Sequence, residues 1–117
     1  MNFDLNLHSH GILVIKLFGE LDHHETEKIR TQISKTILQG HVKYLIWNLE
    51  HLQFMDSAGI GLILGRMKEL RAADGQTIIL NPSATMQKIF KFAGLSSFIV
   101  LGTEQVIIDQ ARGIVNG

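Results

Sequence analysis

The order of apolar patterns along the chain restricts its possible folds more than any other feature. Two segments with the period of strands, 3–7 and 12–18, come first, and the short turn His8-Ser9-His10-Gly11 between them predicts an antiparallel hairpin. From Asp22 onward, segments of helical and strand period alternate strictly. Such alternation is typical of parallel strands joined by crossover helices. We therefore predict an α/β fold, a mixed, mostly parallel sheet of about five strands with about four helices, in one domain over residues 1–117.

The predicted elements also show which residues should face the core. Further strands are expected at 43–49, 77–80 and 98–101, and helices are expected to begin near Asp22, Ser57, Ser83 and Thr103. The predicted inward faces of these helices are Ile29, Ile33 and Ile37; Ile60, Ile63, Leu64, Met67 and Leu70; Met86, Ile89, Phe90 and Ala93; and Ile107, Ala111 and Ile114. Phe92 lies outside the inward face of the third predicted helix, and the sequence leaves open whether it is exposed or packs against the fifth strand.

Two glycines interrupt the second predicted helix. Gly61 and Gly65 are four residues apart, and glycine inside a helix is unfavourable by roughly 1 kcal/mol. Their presence predicts either a close-packed neighbour or a surface that meets a partner.

The stretch Phe54–Gly61 carries the strongest functional signal. It follows the strand-like segment Tyr44–Leu49 and opens an apolar-periodic segment, so Asp56 and Ser57 are expected where a loop becomes a helix. A helix start offers free backbone N–H groups and a positive dipole end, which together accommodate a phosphate. Because a serine hydroxyl placed there can be phosphorylated, the pattern predicts a switch and not a catalytic centre.

Residue type alone leaves other interpretations of this stretch open. Serine is a common helix cap. The apolar residues Phe54 and Met55, expected in the loop before the helix, could form a docking surface or could tuck under the helix as a hydrophobic staple. A hydrolase nucleophile is disfavoured, because Asp56-Ser57-Ala58-Gly59 does not match the G-x-S-x-G elbow.

The remaining chemistry-bearing residues form no recognisable site. The spacing of His23, His24 and His51 does not support a base for Ser57. His23 and Glu27 are four residues apart, but one such pair supplies too few ligands for zinc, and the chain has no cysteine. No Gly-Lys-Ser/Thr sequence follows the glycines of the second helix, so a P-loop is absent. We expect no metal site, no cofactor and no enzyme activity.

Charge and hydropathy restrict the kinds of partner and the cellular location that we expect. Eleven basic and eleven acidic residues balance to a formal net charge of zero, and no basic run occurs, which argues against nucleic acid and against anionic membranes. The start of the chain does not read as a signal peptide, and no segment approaches the roughly 18 to 20 apolar residues that cross a bilayer. With no cysteine, we expect a cytoplasmic protein.

The predicted topology also brings two segments together. The chain leaves the second and third strands at their carboxyl ends, just before Asp22 and Ser57. If these strands are neighbours, both residues emerge at the edge of the sheet where partners of α/β proteins usually bind.

Three segments resemble the STAS domain of bacterial anti-sigma factor antagonists. They are Gly19-Glu20-Leu21-Asp22 after the second strand, Phe54–Gly61, and Met86–Leu95 with its end Ala93-Gly94-Leu95. The resemblance covers nearly the whole chain, and Phe54–Arg66 looks most like the sporulation members, although general-stress members share the motif. Position 58, often serine in the family, is Ala58 here, which removes a second hydroxyl and leaves Ser57 untouched.

The resemblance implies a function with named partners. Such a protein binds a dimeric anti-sigma factor that is also a serine kinase and thereby frees the sigma factor. The kinase phosphorylates the motif serine, here Ser57, with its own ATP; the phosphorylated form lets go, and a serine phosphatase restores it. Partner contacts are expected at Glu20, Asp22, His23, Met55, Asp56, Ser57, Ala58, Gly59, Ile60 and Gly61. The alternatives are a general-stress antagonist, or a STAS-like module that binds a small molecule or a lipid-transport complex.

Overall fold

Strands and helices follow one another in the order that the sequence predicts. The computed structural model describes residues 3–116, with side chains described through Gly113, so the predicted inward position of Ile114 lies outside the described residues. The strands are β1 (Phe3–His8), β2 (Ile12–Leu21), β3 (Tyr44–Met55), β4 (Gln76–Leu80) and β5 (Ile99–Val100). The helices are α1 (His23–Leu38), α2 (Ser57–Ala72), α3 (Ala84–Phe92) and α4 (Glu104–Asn116). Within residues 3–116, no helix combines the length and apolarity needed to cross a membrane.

The five strands form one sheet in the order β1-β2-β3-β4-β5. β1 pairs with β2 antiparallel through the short turn Ser9–Gly11, as expected for a hairpin. β2, β3, β4 and β5 are parallel, with a helix in each connection. The predicted mixed, mostly parallel sheet is confirmed.

Helices cover both faces of the sheet. On one face, α1, α2 and α3 pack on the central strands in a core that includes Ile29, Ile63, Phe90 and the indole of Trp47. On the other face, α4 places Ile107 and Ile108 in a smaller cluster with residues of β2, β3 and β4. Three layers therefore hold the parallel strands, which explains why those strands are rich in apolar residues.

The buried face of α2 differs from the predicted face. Leu62 and Arg66 are buried, whereas Ile60 is only half-buried and Leu64 is 42% exposed. The cause is α1, which lies beside α2: the Glu69 carboxylate of α2 accepts a hydrogen bond from Ser34 of α1 at 2.9 Å. Packing against α1 turns the buried stripe toward that helix and leaves Leu64 on the far side.

Strands β2 and β3 extend further than predicted. Gly19–Leu21 belong to β2, and Phe54 and Met55 belong to β3, although the sequence placed both segments in loops. The extension is held by the parallel pairs Glu20–Phe54 and Leu21–Met55. Only Asp22 and Asp56 remain between each strand and the helix that follows, so both helices begin directly at the edge of the sheet. β5 is shorter than predicted, with two residues.

Candidate functional site

The amino ends of the four helices lie at one edge of the sheet, because each helix follows the carboxyl end of a parallel strand. A side chain caps each helix start, satisfying a backbone N–H that the helix leaves free. The capping pairs are Asp22 with Glu25 N at 2.9 Å, Asp56 with Ala58 N at 2.9 Å, Ser83 with Met86 N at 3.2 Å, and Thr103 with Val106 N at 3.3 Å.

Ser57 is the first residue of α2 and is exposed to solvent. Asp56 is the cap, since its carboxylate accepts the Ala58 N–H and its carbonyl accepts the Gly59 N–H at 3.0 Å. The interpretation of Ser57 as a cap is therefore wrong. Within residues 3–113, whose side chains are described, its hydroxyl makes no hydrogen bond, so a modifying enzyme could reach it without breaking a contact.

Asp22 and Ser57 lie at the same edge of the sheet, as predicted. The pairing of Leu21 with Met55 puts Asp22 and Asp56 at equivalent positions on neighbouring strands. Glu20, Asp22 and Asp56 are all exposed there. This acidic rim, defined as Glu20, Asp22 and Asp56, borders the serine on one side, and His23 lies beside it as the exposed first residue of α1.

An apolar groove is lined in part by Ser57 and by Asp56 of the acidic rim. Its volume is about 410 Å³, and its lining includes Phe54, Ile60, Gly61, Leu64 and Ile89. Phe54 is 47% exposed although it belongs to a strand, so it does not tuck under the helix. An exposed apolar surface of this kind, next to a polar rim, is typical of a site that meets another protein.

Met55 is buried, unlike its exposed neighbour Phe54. Its side chain is 1% exposed and lies beneath the first turn of α2, close to Gly59. Met55 and Gly59, both predicted as contact residues, are thus buried in the free protein. They lie beneath the start of α2, whereas Ser57 and Gly61 are exposed on its surface.

Leu64 and Ile89 line the groove but were not among the predicted contact residues, whereas the sequence already indicated Phe54 as part of a possible docking surface. The helical stripes assigned Leu64 and Ile89 to the core, because periodicity shows which residues share a face and not which neighbour covers that face. The spacing of Leu64 from Ser57, seven residues or two helical turns, was the available signal. Phe92, which the sequence left undecided, is 94% exposed.

Substitution by alanine should have opposite effects on stability at Gly59 and Gly61, the two glycines in the first turns of α2. A Cβ atom at Gly59 would lie 2.5 Å from Met55 Sδ and 2.8 Å from Met55 Cβ, whereas one at Gly61 would meet nothing within 4 Å. We expect Gly59→Ala to lower the free energy of unfolding by about 1 to 3 kcal/mol through overpacking. Gly61→Ala should raise it by about 0.5 to 1 kcal/mol through helix propensity. Urea unfolding followed by tryptophan fluorescence measures both, and a change of the same sign in the two variants would contradict the expectation.

The fold, with its free serine at the start of α2, places this chain in the STAS domain family. Residues 6–108 match the family described as STAS domain, and the chain belongs to it. It is 56% identical over 117 residues to the anti-sigma F factor antagonist of Lysinibacillus sphaericus, with 100% of both chains covered. The resemblance noted in the sequence is confirmed.

Solved structures show the same similarity. The chain matches the anti-sigma factor antagonist SpoIIAA in its unphosphorylated form with a TM-score of 0.91 and 53% identity, covering 95% of this chain and 96% of that one. It matches the Bacillus cell fate determinant SpoIIAA in the phosphorylated form with a TM-score of 0.85 and 54% identity, covering 92% and 97%.

Proposed function

We propose that this protein is an anti-sigma factor antagonist that acts in the cytoplasm, in sporulation. Its unphosphorylated form binds an anti-sigma factor that is also a serine kinase and releases the sigma factor. Phosphorylation at Ser57 ends the interaction, and a serine phosphatase reverses it. The exposed Ser57 hydroxyl, which makes no hydrogen bond to residues 3–113 and lies next to Asp56 at the apolar groove, is the main support for this proposal. The full-length similarity to an anti-sigma F factor antagonist also supports it.

The proposed contact surface has a polar part and an apolar part. Glu20, Asp22 and His23 contribute the polar part, where charge and hydrogen bonds fix orientation and partner choice. Ser57 through Gly61 contribute the helix start, beside the apolar groove. A partner that covers the groove removes this surface from water, which provides the favourable free energy of binding.

A phosphate on Ser57 would oppose this contact directly. It adds about −1.5 to −2 charges near pH 7, and an unpaired charge enclosed in an interface costs several kcal/mol. The Ala58 N–H is not available to bind this phosphate, because the Asp56 carboxylate already accepts it. The phosphate therefore stays at the surface, close to Asp56, and acts by blocking contact.

The domain itself should keep its fold when phosphorylated. Ser57 is at the first position of α2, where the helix dipole stabilises a negative charge by about 0.3 to 2 kcal/mol. The similarity of this fold to SpoIIAA in its unphosphorylated and phosphorylated forms supports this expectation. A large backbone rearrangement in the phosphorylated protein would refute a purely steric and electrostatic switch.

Intact-mass spectrometry after incubation with the cognate anti-sigma kinase and ATP tests the proposed function. We expect one added phosphate on the unsubstituted protein and none on Ser57→Ala. Ser83→Ala is the matched control, since Ser83 is another exposed serine at a helix start on the same edge, and this variant should still gain one phosphate. Phosphate transfer to Ser57→Ala, or none to the unsubstituted protein, would contradict the proposal.

A further inference from the structure

The outward face of α2 carries a straight stripe of exposed residues along its length. Ser57, Gly61, Leu64, Lys68 and Arg71 are separated by four, three, four and three residues, and all five are exposed. This spacing keeps side chains on one side of a helix. At about 1.5 Å per residue, the stripe is about 21 Å long. It starts at the proposed phosphorylation site and ends one residue before the end of α2.

Three depressions follow one another along the side of α2 that carries this stripe. The first, of about 410 Å³, lies beside Ser57 and ends at Leu64. The second, of about 350 Å³, begins at Leu64 and includes Lys68, Arg71 and Ala93. The third, of about 230 Å³, shares Arg71 with the second and continues toward the start of β4. Neighbouring depressions share lining residues, so they are adjacent to one another from Ser57 to the far end of α2.

The charge of the lining residues changes along these depressions. The first depression is apolar and uncharged apart from Asp56, whereas the second carries the cations Lys68 and Arg71. Within residues 3–113, neither cation forms an ion pair or a side-chain hydrogen bond, so no contact among these residues uses their charge. Packing within the domain does not require glycine at positions 61 and 65, since a Cβ atom at Gly61 or Gly65 would meet nothing within 4 Å.

We propose that the contact surface for the anti-sigma factor extends along the whole of α2 and takes an amphipathic segment of that partner. Apolar residues of the segment lie over Gly61 and Leu64, where the missing side chain of Gly61 allows close approach. Carboxylates of the segment meet Lys68 and Arg71 at the far end. This inference rests on the proposed function, since it concerns the same partner and adds the chemistry of the segment that binds.

Charge reversal at the far end tests the inference without disturbing the core. Lys68→Glu combined with Arg71→Glu should weaken binding to the anti-sigma factor by roughly tenfold or more and should flatten its dependence on salt, because exposed charge pairs are screened by ions. The matched control is Lys28→Glu with Lys35→Glu, two exposed residues of α1 that produce the same change in net charge. The control should stay within about twofold of the unsubstituted protein.

A second measurement separates direct contact from long-range electrostatics. The chain has no cysteine, so Lys68→Cys introduces a single thiol whose alkylation rate reports whether that position is covered. We expect slower alkylation in the complex than in the free protein at Lys68→Cys, and equal rates at Lys35→Cys. Equal rates at Lys68→Cys overturn the inference.

The failure of this inference is distinguishable from the failure of the proposed function. If Ser57→Asp abolishes binding while the changes at Lys68 and Arg71 leave affinity and alkylation unaltered, the contact surface stops at the first turns of α2 and the inference is overturned alone. If the unsubstituted protein does not bind the anti-sigma factor, both are overturned.

Discussion

Ser57→Asp should abolish tight binding to the anti-sigma factor, with affinity reduced by about 100-fold or more, equivalent to about 2.7 kcal/mol. The new carboxylate would lie at the entrance of the apolar groove, beside the existing charge of Asp56. A partner that covers the apolar depression beside Ser57 would enclose both charges without a counterion from its lining, since the residues described there include no cation. Titration calorimetry or surface plasmon resonance measures the loss.

Ser57→Asn is the control that separates charge from size, because asparagine has the shape of aspartate and no charge. We expect Ser57→Asn to bind with an affinity between those of Ser57→Ala and Ser57→Asp, and Ser57→Ala to bind about as well as the unsubstituted protein. Ser57→Asp should remain folded, because an acidic residue in the first turn of a helix is favourable. Equal losses in the Asp and Asn variants would show that the groove rejects bulk and not charge.

Phe90→Ala should lower the free energy of unfolding by about 3 to 5 kcal/mol, the usual cost of removing a buried aromatic ring. Phe90 is fully buried and joins α3 to the core shared by α1 and α2. Because a domain of this size is typically stable by about 5 to 15 kcal/mol, the variant loses a large part of its stability. The single tryptophan, Trp47, is buried in the same core and reports unfolding in urea through its fluorescence.

Phe92→Ala makes the same chemical change two residues further along α3 and serves as the control. The Phe92 side chain is 94% exposed, so its removal opens no cavity and should change the free energy of unfolding by no more than about 0.5 kcal/mol. Similar losses in the two variants would mean that α3 does not pack as described.

Local patterns were sufficient for the architecture and for the position of Ser57 at the start of α2. The hairpin, the parallel strands and the four helix starts followed from periodicity and from turn and capping residues, which act over a few neighbouring positions. A helix was expected to begin near Asp22, and in the structure the Asp22 carboxylate caps α1 by accepting the N–H of Glu25, only three residues away. At α2 the predicted boundary was right, and the structure decided between interpretations that the sequence left open: Asp56 caps the helix, which leaves the hydroxyl of Ser57 free.

The full lengths of β2 and β3 were not predicted, because the end of each strand is stabilised by pairing with the other, which is distant in sequence. Polar residues interrupt 50–53, so the sequence alone ended β3 at Leu49. In the structure, pairing with the end of β2 extends β3 to Met55 and brings Phe54 to the surface beside Ser57.

The sequence by itself determined the α/β fold, the resemblance to the STAS family and the serine at the start of α2, because each depends on residue types at fixed spacing along the chain. Only the tertiary structure decided which side of α2 faces solvent. That choice depends on α1, where the Ser34–Glu69 contact joins the two helices and Leu62 and Arg66 become buried. Leu64 is left to line the groove, because a helix with apolar residues on more than one side has no preferred rotation until a neighbour covers one of them.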